Sequence, residues 1–263
     1  MPPGATWGAA TAVVSSGAAV GRTEAGATRW ELGTGAASLL DAGDPEWQTR
    51  AHDMALVGTD EIIVGSRIGS VDGEAQVEAV YWKNGTLQPS LPPLVPGQRA
   101  GAYAVGEDGA IAGFAHDQNL ESHLVIWHGP EYEICDVGLG HVNAVAPSTQ
   151  AGYVHVAGAS AGREQLGKVW TVELASCGVT SSRSLDFPSE LHDVNASGDA
   201  VGEGAMKGRH NAILWTAAGD LLMLPSQASG RDKDDVAHGM NADASLVVGM
   251  SGKTAVLWSR IDP

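Results

Sequence analysis

Several things are scarce in this 263-residue sequence, and each scarcity closes off a class of protein. Cysteine occurs twice, at Cys135 and Cys177, too few for a disulfide framework. Basic residues number 15 against 31 acidic ones, for a formal net charge of −16. That balance disfavours a nucleic-acid partner, because phosphate backbones need Lys and Arg to neutralise them. It equally disfavours an anionic membrane surface. Solubility is the ordinary use of such acidity, and a cationic ligand the sharper one. No apolar run approaches the roughly 18 residues of a membrane span. The first basic residue is Arg22, so the N-terminal stretch lacks the positive region of a secretory signal. Phenylalanine (two) and tyrosine (four) are rare, whereas tryptophan occurs eight times.

Six of those tryptophans are periodic. Trp30, Trp82, Trp127, Trp170, Trp215 and Trp258 are separated by 52, 45, 43, 45 and 43 residues. Each follows a short apolar run closed by a glycine: Gly21, Gly65, Gly113, Gly158, Gly202 and Gly249. Self-similarity at about 40–50 residues marks a propeller or a solenoid. The clearest copy, residues 192–224, reads as four short strands: His192–Ala196, Ala200–Gly204, Asn211–Thr216 and Leu221–Leu224. Glycine-containing turns separate them, which signals hairpins. Four antiparallel strands per repeat is a propeller blade. A parallel solenoid would want coils of about 20 residues and no hairpin turns.

The expectation is therefore an all-β fold, a single six-bladed β-propeller. Blades fall near 8–50, 51–98, 99–140, 141–188, 189–234, and 235–263 with 1–7. The last copy stops after its third strand, and the N-terminal segment is expected to complete it. Closure of this kind removes an open sheet edge. Blade 2 is expected to carry a long loop at 67–77. The two cysteines should sit on outer strands of neighbouring blades as free thiols.

The stretch Val194-Asn195-Ala196-Ser197-Gly198-Asp199-Ala200-Val201-Gly202, then His210-Asn211-Ala212-Ile213-Leu214-Trp215, resembles the HAF-type bacterial extracellular repeat family. A weaker copy is His123-Leu124-Val125-Ile126-Trp127. The resemblance covers nearly the whole chain. It implies a propeller-like fold and often an exported protein, and it carries no catalytic motif.

In a blade the first strand lines the central channel, so its start is where chemistry should gather. Counting back from the repeat glycine aligns Thr11, Tyr103 and His192 without gaps. Small indels add His52, His141 or Asn143, and His238. Histidines converging from several blades suit a metal, since imidazole binds Zn or Mn and three ligands leave an open position. His141, His192 and His238 are the candidate ligands, with Zn or Mn preferred to Ca. The alternative is a polar channel with metal-free acid/base chemistry from His52, Tyr103, His192 and His238. Arg67, His116 and Glu203 follow the repeat glycine and are expected at the same face. Trp7, Trp47 and Phe187 precede first strands and can rim the mouth and stack on a ligand, or pack beneath loops. Residues 230–235, with three carboxylates, offer a weaker Ca²⁺ possibility.

No Gly-x-Ser-x-Gly, His-Glu-x-x-His, phosphate loop or Cys-x-x-Cys is present. Two functions stay open. One is an enzyme of lyase, hydrolase or isomerase type acting on a small molecule; the other is a non-catalytic carbohydrate- or protein-binding propeller. Unequal copies favour one asymmetric site. The remaining expectations are a monomer or small homo-oligomer, with no nucleic-acid or membrane partner. Its location is expected to be cytoplasmic, or secreted if a leader has been removed.

Overall fold

The structure, a computed structural model, describes residues 5–71, 73–206, 208–227 and 234–259. Among them every regular element is a strand. The chain divides into two compact units, residues 1–138 and 139–263, and each holds three copies of the repeat.

In the first unit, copy 1 is β1 (Gly8–Val13), β2 (Ala18–Thr23), β3 (Gly26–Glu31) and β4 (Ala36–Leu39). Copy 2 is β5 (Gln48–Val57), β6 (Asp60–Val71), β7 (Glu74–Lys83) and β8 (Thr86–Leu87). Copy 3 is β9 (Ala100–Val105), β10 (Ile111–His116), β11 (Ser122–His128) and the start of β12 (Glu133–Pro147). The second unit takes over within β12 and adds β13 (Tyr153–Ser160), β14 (Leu166–Glu173) and β15 (Gly178–Val194). Copy 5 continues from β15 with β16 (Ala200–Met206), β17 (Arg209–Trp215) and β18 (Leu221–Met223). Copy 6 is β19 (Asp235–Met240), β20 (Leu246–Ser251) and β21 (Thr254–Ser259). Strand order follows sequence order within each sheet, and the registered pairs are antiparallel. β15 serves two copies: its residues up to Pro188 pair with β14, and Ser189 onward pairs with β16.

The residues expected as a long loop in copy 2 instead extend a hairpin. Pairing of β6 with β7 runs unbroken from Ile62↔Lys83 to Val71↔Glu74. The sheet of copy 6 has three strands among the described residues. The segment expected to complete it, 1–7, lies mostly outside them, as do residues 230–233. Neither cysteine is a free thiol. Both are disulfide-bonded, because position in the folded chain, and not cysteine number, decides pairing.

One irregularity recurs six times. The first full strand of every copy carries a β-bulge where it pairs with the next strand. The residue skipped by the register is Thr11 in β1, His52 in β5, Tyr103 in β9, Asn143 in β12, His192 in β15 and His238 in β19. Opposite the residue before each bulge stands the repeat glycine, as in Gly65↔Ala51 and Gly202↔Leu191. A bulge bends its strand inward, and that bend drives a carbonyl into the space a side chain would need. A Cβ on Gly202 would overlap the Glu190 carbonyl oxygen. The same overlap arises at Gly21, Gly65, Gly113, Gly158 and Gly249 with Ala9, Arg50, Gly101, His141 and Val236. The glycine ends the apolar run because only glycine fits.

The periodic tryptophans join consecutive copies. Trp82 and Trp127 are fully buried, each worth about 4–6 kcal/mol of transfer free energy by area. Their indole N–H groups donate backwards, Trp82 to the Asp41 carbonyl and Trp127 to the Pro92 carbonyl, both at 2.7 Å. Trp258 does the same to Pro225 at 2.8 Å. Each acceptor lies just after the last strand of the preceding copy.

Asp53 and Asp193, one residue past their bulges, add a second joint. Asp53 Oδ2 accepts from Val105 N at 2.9 Å, and Asp193 Oδ2 from Met240 N at 2.8 Å. Burial raises the Asp193 carboxyl to about 6 despite its two backbone donors.

Two measurements check this account. Gly202→Ala should lower the unfolding free energy by about 3 kcal/mol or more, the upper range for overpacking. Gly33→Ala should leave it within about 0.5 kcal/mol, since nothing lies within 4 Å of a Cβ there; urea denaturation reads both. A carboxyl whose folded pKa is raised stabilises below its unfolded value near 4 and loses that contribution as pH rises through about 6. Asp193→Asn should therefore remove about 2–3 kcal/mol of the fall in stability between pH 4 and pH 7.

Candidate functional site

Bulges re-aim side chains, and here four of the re-aimed residues reach the next copy, two of them its bulged residue and two the carbonyl just before it. Thr11 Oγ1 donates to the Ala51 carbonyl at 3.1 Å. The rings of His52 and Tyr103 meet edge to face, with centroids 4.9 Å apart. Asn143 Nδ2 donates to the Leu191 carbonyl at 2.9 Å. The rings of His192 and His238 lie 5.6 Å apart, tilted by 45°. The ambiguity between His141 and Asn143 is thus resolved by register: Asn143 is the bulged residue, and His141 lies two positions earlier and is exposed.

Around His52 the first unit gathers rings. Tyr103 stacks near Phe114 at 5.7 Å, and Phe114 near His116 at 5.5 Å. Phe114 covers Gly101 so closely that a Cβ there would meet its ring. His52 Nε2 reaches Ser66 Oγ at 3.3 Å. Burial, with smaller contributions from Arg50 and Arg22, lowers the His52 imidazole to about 4. Burial likewise raises the Tyr103 phenol. Both groups are therefore held neutral, and this cluster is a packed aromatic surface with little acid/base capacity at neutral pH.

The ionisable groups gather in the second unit. Glu190 and Glu203 are directly opposite each other on β15 and β16. Ligand atoms of Glu190, His192 and Glu203 all lie within 4.8 Å of one another. Asn143 Nδ2 donates to Glu190 Oε1 at 2.8 Å, and His210 Nδ1 lies 3.1 Å from Glu203 Oε2. Nε2 of His192 is buried without a hydrogen-bond partner. Burial lowers the His192 imidazole, His238 adds to the lowering, and Glu190 and Glu203 oppose it. Beside this cluster opens a cleft of about 340 Å³, lined by Arg163, Gln165, Ser189, Glu190, Glu203 and His210.

Among the described residues, the ligand-compatible group around His192 consists of Glu190 and Glu203, with neither His141 nor His238 in it. Two of its neighbours were not anticipated from sequence. Glu190 is two residues before His192, the spacing that puts alternate strand residues on one face. His210, which lies outside the bulge position, is brought in by the β16–β17 hairpin.

The expected rim residues have other partners. Trp47 lies against Gly69, where a Cβ would meet its ring, and Arg67 sits over it at 4.6 Å. Arg67 is also ion-paired to Glu78 at 2.7 Å. Phe187 lies on Gly204 in the same way. Trp7 is about half exposed, with Arg22 5.6 Å from its ring.

No protein-family model and no curated protein matches the sequence. Solved structures do match the fold. The chain is similar to the β-propeller domain of the Trilobed protease from Pyrococcus furiosus, with TM-score 0.50 and 10% identity over 81% of this chain and 63% of that one. It is similar to a TolB protein from Agrobacterium tumefaciens, with TM-score 0.54 and 11% identity over 82% and 79%. The extracellular domain of a one-component system from B. thetaiotaomicron gives TM-score 0.56 and 11% identity over 98% and 33%. These likenesses establish a β-propeller architecture. The chain spans only 36% and 24% of the length of two peptidases whose structures it also matches.

The neutral state of His52 can be read directly. Its imidazole proton signals should titrate with a midpoint near 4 in an NMR pH series, well below the ordinary value near 6.5. A midpoint above 6 would contradict the burial described.

Proposed function

We propose that the protein is a six-bladed propeller enzyme that acts on a small polar molecule at one asymmetric site in its second unit. The observation that carries this reading is Glu190 facing Glu203 across two strands beside the bulged His192. Six copies of one antiparallel unit, the sixth with three strands among the described residues, support the blade number. Differences among the copies support a single site over a ring of equivalent ones: the same bulge position carries Thr11, His52, Tyr103, Asn143, His192 or His238.

In this reading His192 is the base. Burial disfavours its protonated form while Glu190 and Glu203 favour it, and the neutral imidazole offers a proton acceptor to a bound substrate. His238 is the exposed member of the pair. Glu203 with His210 and Glu190 with Asn143 hold a polar substrate in the cleft. The chemistry that suits this set is proton abstraction next to a carbonyl or activation of a water, the work of a lyase or hydrolase. Tyr103 and His52 form the apolar surface of the first unit in this reading.

The acidic surface is consistent with a small-molecule partner and not with nucleic acid. The disulfide-bonded cysteines favour an oxidising compartment, hence an exported protein over a cytoplasmic one, in line with the extracellular repeat family the sequence resembles.

The test is a turnover screen with small esters, lactones, glycosides and carbonyl compounds bearing an acidic α-proton. The parent should turn over at least one class. His192→Ala should lower its kcat by about 10²-fold or more, the usual worth of a positioned base, and His123→Ala should not. Binding without turnover, or turnover indifferent to His192, would replace this reading with the non-catalytic binding propeller.

A further inference from the structure

The pairing of Glu190 with Glu203 is unusual within this chain. The same cross-strand position holds Ala9 and Arg22 in copy 1, Arg50 and Ser66 in copy 2, and Gly101 and Phe114 in copy 3. It holds His141 and Ala159 in copy 4 and Val236 and Met250 in copy 6. Only copy 5 sets two carboxylates face to face. Like charges directly opposite on paired strands destabilise a sheet, so a cation between them would turn a cost into a gain. Among the described residues the one ion pair to either carboxylate comes from His210, which is charged only when protonated.

The third member of the group points the same way by different means. His192 Nε2 is fully buried and makes no hydrogen bond, an expensive condition for a polar atom unless a partner binds it. Each carboxylate also has a neighbour on one oxygen, Glu190 Oε1 accepting from Asn143 at 2.8 Å and Glu203 Oε2 lying 3.1 Å from His210. Outer partners of this kind fix metal-ligating side chains.

We infer that Glu190, His192 and Glu203 bind one divalent first-row transition cation, Zn²⁺ or Mn²⁺, at the edge of the cleft. The inference rests on the reading of this site given above and revises it in one respect: with the cation bound, His192 serves as a ligand and no longer as the base. One imidazole with two carboxylates is a mixed nitrogen–oxygen set that suits Zn²⁺ and Mn²⁺. Ca²⁺ prefers six to eight oxygens and no imidazole. Three protein ligands leave positions open toward the cleft, where a water or a substrate oxygen can bind. The exposed cluster Asp117, Glu121 and His123 in the first unit is a weaker candidate, because Asp117 already accepts from the backbone of Asn119 and Glu121 and His123 pairs with Asp136.

The experiment titrates the full, chelator-treated chain with Zn²⁺ and with Mn²⁺ by calorimetry, and follows bound Mn²⁺ by its electron paramagnetic resonance signal. One equivalent should bind. His192→Ala and Glu203→Gln should each weaken it by more than about 100-fold, and Asn143→Ala by about 10-fold, the range for an outer partner. Glu203→Gln keeps side-chain volume and decides the question if His192→Ala does not fold. No stoichiometric binding by the parent overturns the inference. So does binding that survives both ligand variants, or that is lost instead in His123→Ala. Binding that holds without any turnover would sink the enzymatic reading and leave the metal site standing.

Discussion

The fold depends on a steric fit between two features that only make sense together. In every copy the first strand bulges, and the bend pushes a carbonyl oxygen into the place where the neighbouring strand would carry a Cβ. Glycine removes the conflict, and it does so at the same register in all six copies. The bend also narrows the sheet at that point, so a tryptophan from the third strand can lie over the glycine. Trp127 on Gly113 and Trp258 on Gly249 are so placed that even a methyl group would strike the ring. Bulge, glycine and tryptophan are one structural unit, repeated.

That unit also separates architecture from chemistry. In five copies the residue before the bulge is small or aliphatic and buried, as Ala51, Ala102, Val142, Leu191 and Ala237 are; in copy 1 it is the exposed Ala10. The bulged residue itself is released from the ladder and can be anything that tolerates its neighbour in the next copy. In the first unit that freedom is used for rings, and burial keeps His52 and Tyr103 uncharged. In the second unit it is used for polar and ionisable groups, and His192 sits between opposing influences from burial and from two carboxylates. The same backbone device therefore carries an aromatic cluster in one place and a group of ionisable side chains in another.

Several features were hidden from the sequence for identifiable reasons. Loops of different length around 141–160 blurred the count back from Gly158, so His141 and Asn143 could not be told apart until the bulge fixed the register. Glu190 carries no motif; its meaning comes from Glu203 across the strand, and cross-strand partners are set by pairing, not by spacing along the chain. Trp47 and Phe187 looked like ligand-stacking residues because they lie before first strands. The glycines they cover, Gly69 and Gly204, are more than fifteen residues away in sequence. The cysteines looked free because their number alone excluded a framework, but a count of two does not exclude a bond.

What the sequence by itself determined was the repeat: six tryptophans, six glycines, short alternating strands and hairpin turns, and hence the propeller architecture. Those signals are local, because strand period and the steric demand for glycine act within a few residues of one another. The one-residue-per-copy position that the bulge skips was also legible, at least for the copies without indels. Tertiary structure alone decided which of those positions meet and what surrounds them. It drew Glu190, Glu203 and His210 to His192 and left His141 outside, because a site is assembled across strands and between copies. Its charges take their strengths from burial, which no single stretch of sequence specifies.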